Sequence, residues 1–334
     1  MSALALDLDR IAADTDFSGV VRVDGPEGLR VERAYGLADR AHAVSNELDT
    51  QFGTASGTKG FTALVVMRLV EDGALGLSTT ARSVLGADLP LVDQTVTVEH
   101  LLAHRSGIGD YLDEELDLDF TDYLMPVPVQ QLATTEDYLP VLDGHPQKFP
   151  PGERFAYCNS GYVVLALIAE RVAATPFHDL VHDFVCVPAA MEDTAFLRSD
   201  ELPGRAAHGY VQVEGEWRTN VFHLPVRGSG DGGIYTTAAD VTAFWRALFA
   251  GSIVGEETLE EMLRERSAPL EHRGYGLGFW LPAGGGAVRL EGGDTGVRFA
   301  TVHDPTRDLT WTLLANTDAA TRAMGERLEQ ERTS

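Results

Sequence analysis

The chain has 334 residues, enough to bury one large core or two interleaved ones. Its 51 acidic against 26 basic residues give a net charge of -25, which excludes nucleic acid, whose binding needs a basic surface, and an anionic membrane surface as partners. Two cysteines, Cys158 and Cys186, make neither a disulfide framework nor a C-x-x-C pair.

Residues 3 to 13 read as a short amphipathic helix. Acids interrupt its apolar residues and no basic stretch precedes them, so a signal peptide is not expected. No apolar run reaches the ~18 residues of a membrane span. The expectation is a soluble cytoplasmic protein with reduced thiols, away from cell-wall cross-linking. Phe17 to Asp24 and Leu29 to Gly36 alternate like a hairpin around Gly25-Pro-Glu-Gly28.

The stretch Ser56-Gly-Thr-Lys59 then opens a helix that is apolar without interruption (Phe61, Leu64, Val65, Met67, Leu69). Residues three apart share a helix face, so Lys59 reaches back to Ser56. A serine becomes a nucleophile when a base takes its proton, and a desolvated lysine is such a base. The chain has two lysines, Lys59 and Lys148, against 24 arginines. An amine kept where guanidinium is the usual cation suggests that a removable proton is wanted there. The bland alternative is Ser56 as a helix cap beside a surface lysine.

Further on, Leu75 to Asp93 reads as loop, and Val96 to Gly107 as a short helix with a Thr97 cap. His100 and His104 would sit four apart on that helix. The spacing suits a metal, but no third ligand accompanies them, and packing is the expectation. Residues 109–150 read as an insertion or lid, with the acidic run Asp113 to Asp119 as solvated surface. Tyr157-Cys-Asn159 falls in a turn before a helix from Val163 to Ala174. A tyrosine serves as general acid or base when a cation such as Lys59 stabilises its phenolate, and Asn159 suits holding a substrate amide and the lysine. Cys158 reads as a small filler.

A strand pair is expected near 207–222, and Thr237-Ala-Ala-Asp240 caps another helix. Strand patterns close the chain at Tyr275 to Leu281, Ala287 to Leu290, Val297 to Val302 and Leu309 to Ala315, followed by a helix from about Ala319. Strands at both ends with helices between predict an α+β fold. Residues 1–80 and 230–334 would form an antiparallel sheet domain flanked by helices, with 81–229 an inserted, mainly helical subdomain.

Taken together, Ser56-Gly-Thr-Lys59, Tyr157-Cys-Asn159, Leu101-Leu-Ala-His-Arg-Ser-Gly107, Asp231 to Asp240 and Tyr275-Gly-Leu-Gly-Phe-Trp280 resemble the serine β-lactamase/penicillin-binding protein superfamily. The likeness is to its class C-like branch of esterases and D-amino-acid peptidases, over about residues 15 to 318. The resemblance implies a β-lactamase/transpeptidase-like fold with its site between sheet and helical subdomain. Ser56 would be acylated, Lys59 and Tyr157 would share the proton transfers, and Asn159 would hold substrate. The Ser56 N–H and one N–H of an edge strand would form the oxyanion hole. No cofactor or metal is implied.

The family's third box, a Lys-Thr/Ser-Gly or His-x-Gly on that strand, is where the sequence departs. Here it reads Leu290-Glu-Gly292 or Glu291-Gly-Gly293, with Asp294 next, and neither register starts with a cation. Glu291, Gly292, Gly293 and Asp294 are therefore candidate substrate-binding residues, Glu291 and Asp294 reading equally well as a structural turn and ion pair. Arg298 and Arg227 are the cations available to replace the missing charge.

The expectation is a serine hydrolase acting on a small ester or amide, with carboxylesterase first. D-amino-acid amidase or peptidase, weak β-lactamase, and acyltransferase follow. A catalytically retired binding or scaffold protein is the reading from another class, which the presence of Ser56, Lys59 and Tyr157 opposes.

Overall fold

The computed structural model describes residues 2–116, 124–270, 273–282, 285–318 and 321–333. Part of the expected lid, 117–123, lies outside them. The alternating segments at the two ends of the chain fold into one antiparallel sheet. Its strands are β1 (Gly19–Gly25), β2 (Gly28–Tyr35), β3 (Ser267–Leu270), β4 (Arg273–Tyr275), β5 (Trp280–Pro282), β6 (Val288–Asp294), β7 (Val297–Asp304) and β8 (Leu309–Ala315). They lie in the order β2-β1-β8-β7-β6-β5-β4-β3. The first and last strands pair directly, Gly19 opposite Ala315 through Asp24 opposite Thr310, so the sheet can close only when both ends of the chain are present.

Each face of the sheet has its own apolar filling. On one side, helices α1 (Ala3–Thr15) and α5 (Thr321–Thr333) bring Leu4, Leu8, Met324 and Leu328 against Val21, Trp311 and Leu313. On the other lie α2 (Thr58–Glu71), α3 (Asn159–Ala173) and α4 (Ala238–Phe249). Helix α2 is buried on every side from Thr58 to Met67, the mark of a helix running through a core. Phe61, Leu64 and Val66 there each contribute roughly 1.5–3 kcal/mol by leaving water. The start of α2 is thereby fixed with little freedom, and Ser56 stands immediately before it.

The expected α+β architecture is the one the chain adopts, with three local corrections. Tyr275 to Leu281 is two strands rather than one: Gly276 N–H donates to Phe279 O at 3.0 Å and Gly278 takes φ +92°, turning β4 back into β5. The helix after Thr97 is Val98–Leu102, and His104 lies beyond its end at φ +54°, which separates it from His100. Helix α3 begins four residues earlier than expected, so Asn159 is its first residue.

Candidate active site

Ser56 sits in a 3-10 turn, Ala55–Gly57, wedged between the core helix and the sheet. Ala55 has φ +44°, a conformation L-residues avoid, and it turns the chain sharply at the serine. Lys59 is one helical turn on and 2 % exposed. Its amine donates to Ser56 Oγ at 2.9 Å, Asn159 Oδ1 at 2.8 Å and the Asp231 carbonyl at 2.8 Å. Burial lowers the lysine pKa, opposed by the nearby carboxylates of Asp231, Glu114 and Asp110. With Lys59 neutral, the same geometry lets the Ser56 hydroxyl donate to the amine lone pair.

Tyr157 lies on the extended segment before α3, half-buried. Lys59 Nζ is 4.9 Å from the centre of its ring, and Ser56 hydrogen-bonds its hydroxyl. Burial pushes the tyrosine pKa well above its usual value, and Glu114 adds to that shift. The two groups are thus driven apart, lysine toward the free amine and tyrosine toward the intact phenol, which is the arrangement of a base and an acid. Burial and the carboxylates of Glu114, Asp231 and Glu291 thus work against the phenolate considered from sequence, and the Ser56 hydroxyl works for it.

Asn159 is buried. Its carbonyl holds Lys59, and its amide hydrogens go to Leu112 O at 3.0 Å and Glu114 Oε1 at 3.2 Å. Both amide hydrogens are therefore taken within the protein, while the carbonyl oxygen, with its bond from Lys59, keeps a second lone pair for a substrate N–H. The first N–H groups of α3, at Asn159 and Ser160, donate to the two oxygens of Asp110 at 2.7 and 2.9 Å. A carboxylate from a distant loop therefore caps the helix that presents Asn159. Burial nevertheless raises the Asp110 pKa to about 6.

The third-box region is β6, and its glycines are unequal. A Cβ on Gly292 would stand 2.1 Å from Thr54 O and 2.6 Å from Ser56 N, whereas one on Gly293 would meet only the Arg298 side chain. The strand thus runs against the nucleophile turn at Gly292, and the box reads Leu290-Glu291-Gly292. Leu290, in the position of the family's cation, is 3 % exposed and packs toward Gly60. Glu291 is held by Arg273 at 2.5 Å and Arg289 at 2.7 Å. Among the described residues β5 meets β6 only at Trp280–Arg289, which leaves the edge beyond Arg289 open toward Ser56.

Both candidate arginines have partners within the protein. Arg298 donates to the carbonyls of Asp294 and Val297 and pairs with Asp318 at 3.3 Å. Arg227 is turned to Phe196 O. Asp294 lines the cleft with no ion pair among the described residues, and burial pushes its pKa up to about 7.

Two spaces open beside Ser56. One is a broad groove of about 1130 Å³ that includes Tyr157, Trp280, Glu291 and Arg298. The other is a small cavity of about 80 Å³ with apolar walls from Leu112, Leu197, Leu224 and Val297 and carboxylates at Glu114, Asp231 and Asp294. Sequence reasoning did not name Asp110 or Glu114 as site residues, and it quoted Asp231 and Trp280 only as members of longer matching pieces. Asp231 holds Lys59 through its backbone carbonyl, for which no side-chain pattern exists, and Glu114 was absorbed into an acidic run. Cys158 is buried with its thiol pKa raised by burial, consistent with filler.

The sequence pattern described as Beta-lactamase matches residues 8–333. A penicillin binding protein from Bacillus halodurans has the same fold, with a TM-score of 0.90, 35% identity, and coverage of 96% of this chain and 98% of that one. Penicillin-binding protein 4* of Bacillus subtilis is 27% identical over 295 residues, 83% of this chain and 63% of that protein, so the chain spans less than two thirds of that relative. Esterase EstB of Burkholderia gladioli is 28% identical over 311 residues, 81% of this chain and 76% of that protein.

Proposed function

The chain belongs to the beta-lactamase family, whose members are serine hydrolases, and from that premise we propose that it cleaves small, uncharged esters through an acyl-enzyme on Ser56. The observation that carries this reading is the 2.9 Å contact between the Ser56 hydroxyl and an amine stripped of water. Ser56 Oγ attacks the carbonyl carbon as its proton passes to Lys59 Nζ. The tetrahedral oxyanion takes hydrogen bonds from the Ser56 N–H and from one N–H of the open β6 edge, a pair of fixed donors worth about 3 kcal/mol each in such sites. The bond to the leaving group breaks as the Tyr157 hydroxyl gives it a proton, and Lys59 returns its proton to the phenolate. Water then attacks the acyl carbon, its proton going to Lys59 and on to Ser56 Oγ as the acid departs.

Substrate preference follows from charge. With Leu290 buried and Glu291 paired, the third box itself offers no cation to a substrate carboxylate, which weighs against penicillins and D-Ala-D-Ala peptides. The carboxylates of Glu114, Asp231 and Asp294 that line the small cavity favour a second reading, hydrolysis of amine-bearing amides or esters such as those of D-amino acids.

The test is hydrolysis of p-nitrophenyl acetate, an amino-acid p-nitroanilide and a chromogenic cephalosporin by the native protein and by Ser56→Ala. Ester turnover lost in Ser56→Ala, with a poor cephalosporin rate, is expected. Equal ester rates in both proteins would overturn the nucleophile.

A further inference from the structure

His104 is a buried titratable group next to the cleft that the mechanism above does not use. It sits in the Leu101 to Gly107 stretch, 1 % exposed, on a left-handed residue beyond a helix end. Its carbonyl accepts the Ala156 N–H at 2.9 Å, and its ring Nδ1 accepts the Cys158 N–H at 3.1 Å. One residue therefore clips the backbone on both sides of Tyr157. That clip replaces the ladder of hydrogen bonds that residues 154–158, belonging to no strand or helix, do not have. The ring lies 4.4 Å from the Tyr157 ring, which also stacks on Trp280 at 6.4 Å and 11°.

Because Nδ1 accepts an amide hydrogen, the ring proton is on Nε2. Nε2 has no hydrogen-bond partner among the described residues, and the imidazole ring packs among the rings of Tyr157, Tyr162 and Tyr275, with centre-to-centre distances of 4.4, 4.9 and 4.9 Å. A buried N–H without a hydrogen-bond partner is a cost that an aliphatic side chain would avoid. Burial and nearby Lys59 both keep the imidazole uncharged.

We propose that His104 is the positioning residue for Tyr157: its Nδ1 acceptor and ring set the phenol at the place where the leaving group departs. The inference rests on Tyr157 acting as the acid, and it predicts an effect that depends on the leaving group. A p-nitrophenoxide leaves without a proton, whereas an alkoxide or amine needs one, and general acid help is worth about 10²–10⁴-fold.

The experiment compares kcat and KM for p-nitrophenyl and ethyl esters of one acid in the native protein, His104→Phe, His104→Asn and Tyr157→Phe. Fluorophosphonate labelling of Ser56 reports an intact nucleophile. His104→Phe keeps the bulk and removes the acceptor; His104→Asn offers an oxygen close to the place of Nδ1. We expect His104→Phe to lower kcat on the ethyl ester by ~100-fold, with the p-nitrophenyl ester within about threefold and KM unchanged, and His104→Asn to recover most of the loss. If His104→Phe slows both esters equally, or neither, while Tyr157→Phe is selective, the positioning role is overturned and the acid role stands. If Tyr157→Phe is itself unselective, the acid role fails and this inference with it. Should His104→Phe not fold, the same selective loss or its absence in His104→Gln, which moves the acceptor away from Nδ1, decides between these outcomes.

Discussion

The proposed role of Lys59 as a base rests on two opposing effects on its amine that are unequal. Desolvation favours the neutral form, while Asp231, Glu114 and Asp110 favour the ammonium, and burial wins. The free-enzyme profile of kcat/KM should therefore rise with pH as Lys59 loses its proton, with a midpoint below the ~10.4 of a solvated lysine. Tyr157 must stay protonated, and burial moves its ionisation above ~10, so a plateau rather than a narrow bell is expected. Asp294, with its pKa at about 7, titrates inside the same range; Asp294→Asn removes that limb and leaves the one due to Lys59. A rising limb at the ordinary lysine value would mean that another group is the base. Lys59→Arg keeps the charge but cannot release a proton, and should cost about 10²–10⁴-fold in kcat; a rate near the native one would show that a fixed cation suffices.

At the scale of elements, the cleft is made where β6, the 3-10 turn and the start of α3 meet. The close approach at Gly292 sets how near the strand comes to Ser56. Gly292→Ala forces β6 or the turn to move, since its Cβ would stand 2.1 Å from Thr54 O. We expect kcat on an ester to fall by about 10²–10³-fold, the scale of losing one oxyanion donor, with far-UV circular dichroism unchanged. Gly293→Ala meets only an arginine side chain and should keep most activity. The reverse ranking would shift the box by one residue to Glu291-Gly-Gly293. Helix α3 contributes through its cap: Asp110 fixes the two N–H groups beside Asn159, and Asn159 in turn fixes Lys59.

The whole molecule carries a net charge of -25, and self-repulsion on that scale destabilises the compact state. Surface ion pairs such as Arg322–Glu326 and Arg68–Asp72 are largely exposed and offset it by only ~0–1 kcal/mol each. Salt screens both, shrinking the Debye length from ~30 Å at 0.01 M to ~10 Å at 0.1 M. The long-range repulsion loses more, so the melting temperature should rise by a few degrees over that range, as read by calorimetry. A fall would mean that the ion pairs outweigh the net charge.

Sequence by itself determined the strands at both ends, the apolar helix behind Ser56, and the S-x-x-K and Y-x-N pieces. Each of these is local in spacing, and local spacing is what a 3.6- or 2-residue period and a helix turn express. Only the tertiary structure decided which glycine abuts Ser56, that Glu291 is taken by Arg273 and Arg289, and that Asn159 holds Lys59. It alone brought Asp110, Asp231 and His104 to the site from 49, 172 and 53 residues away from Asn159, Lys59 and Tyr157 respectively. Those placements depend on backbone carbonyls, close approaches and burial, which belong to the packed chain; the sequence shows the pieces that hold Asp231 and His104 but not what they touch.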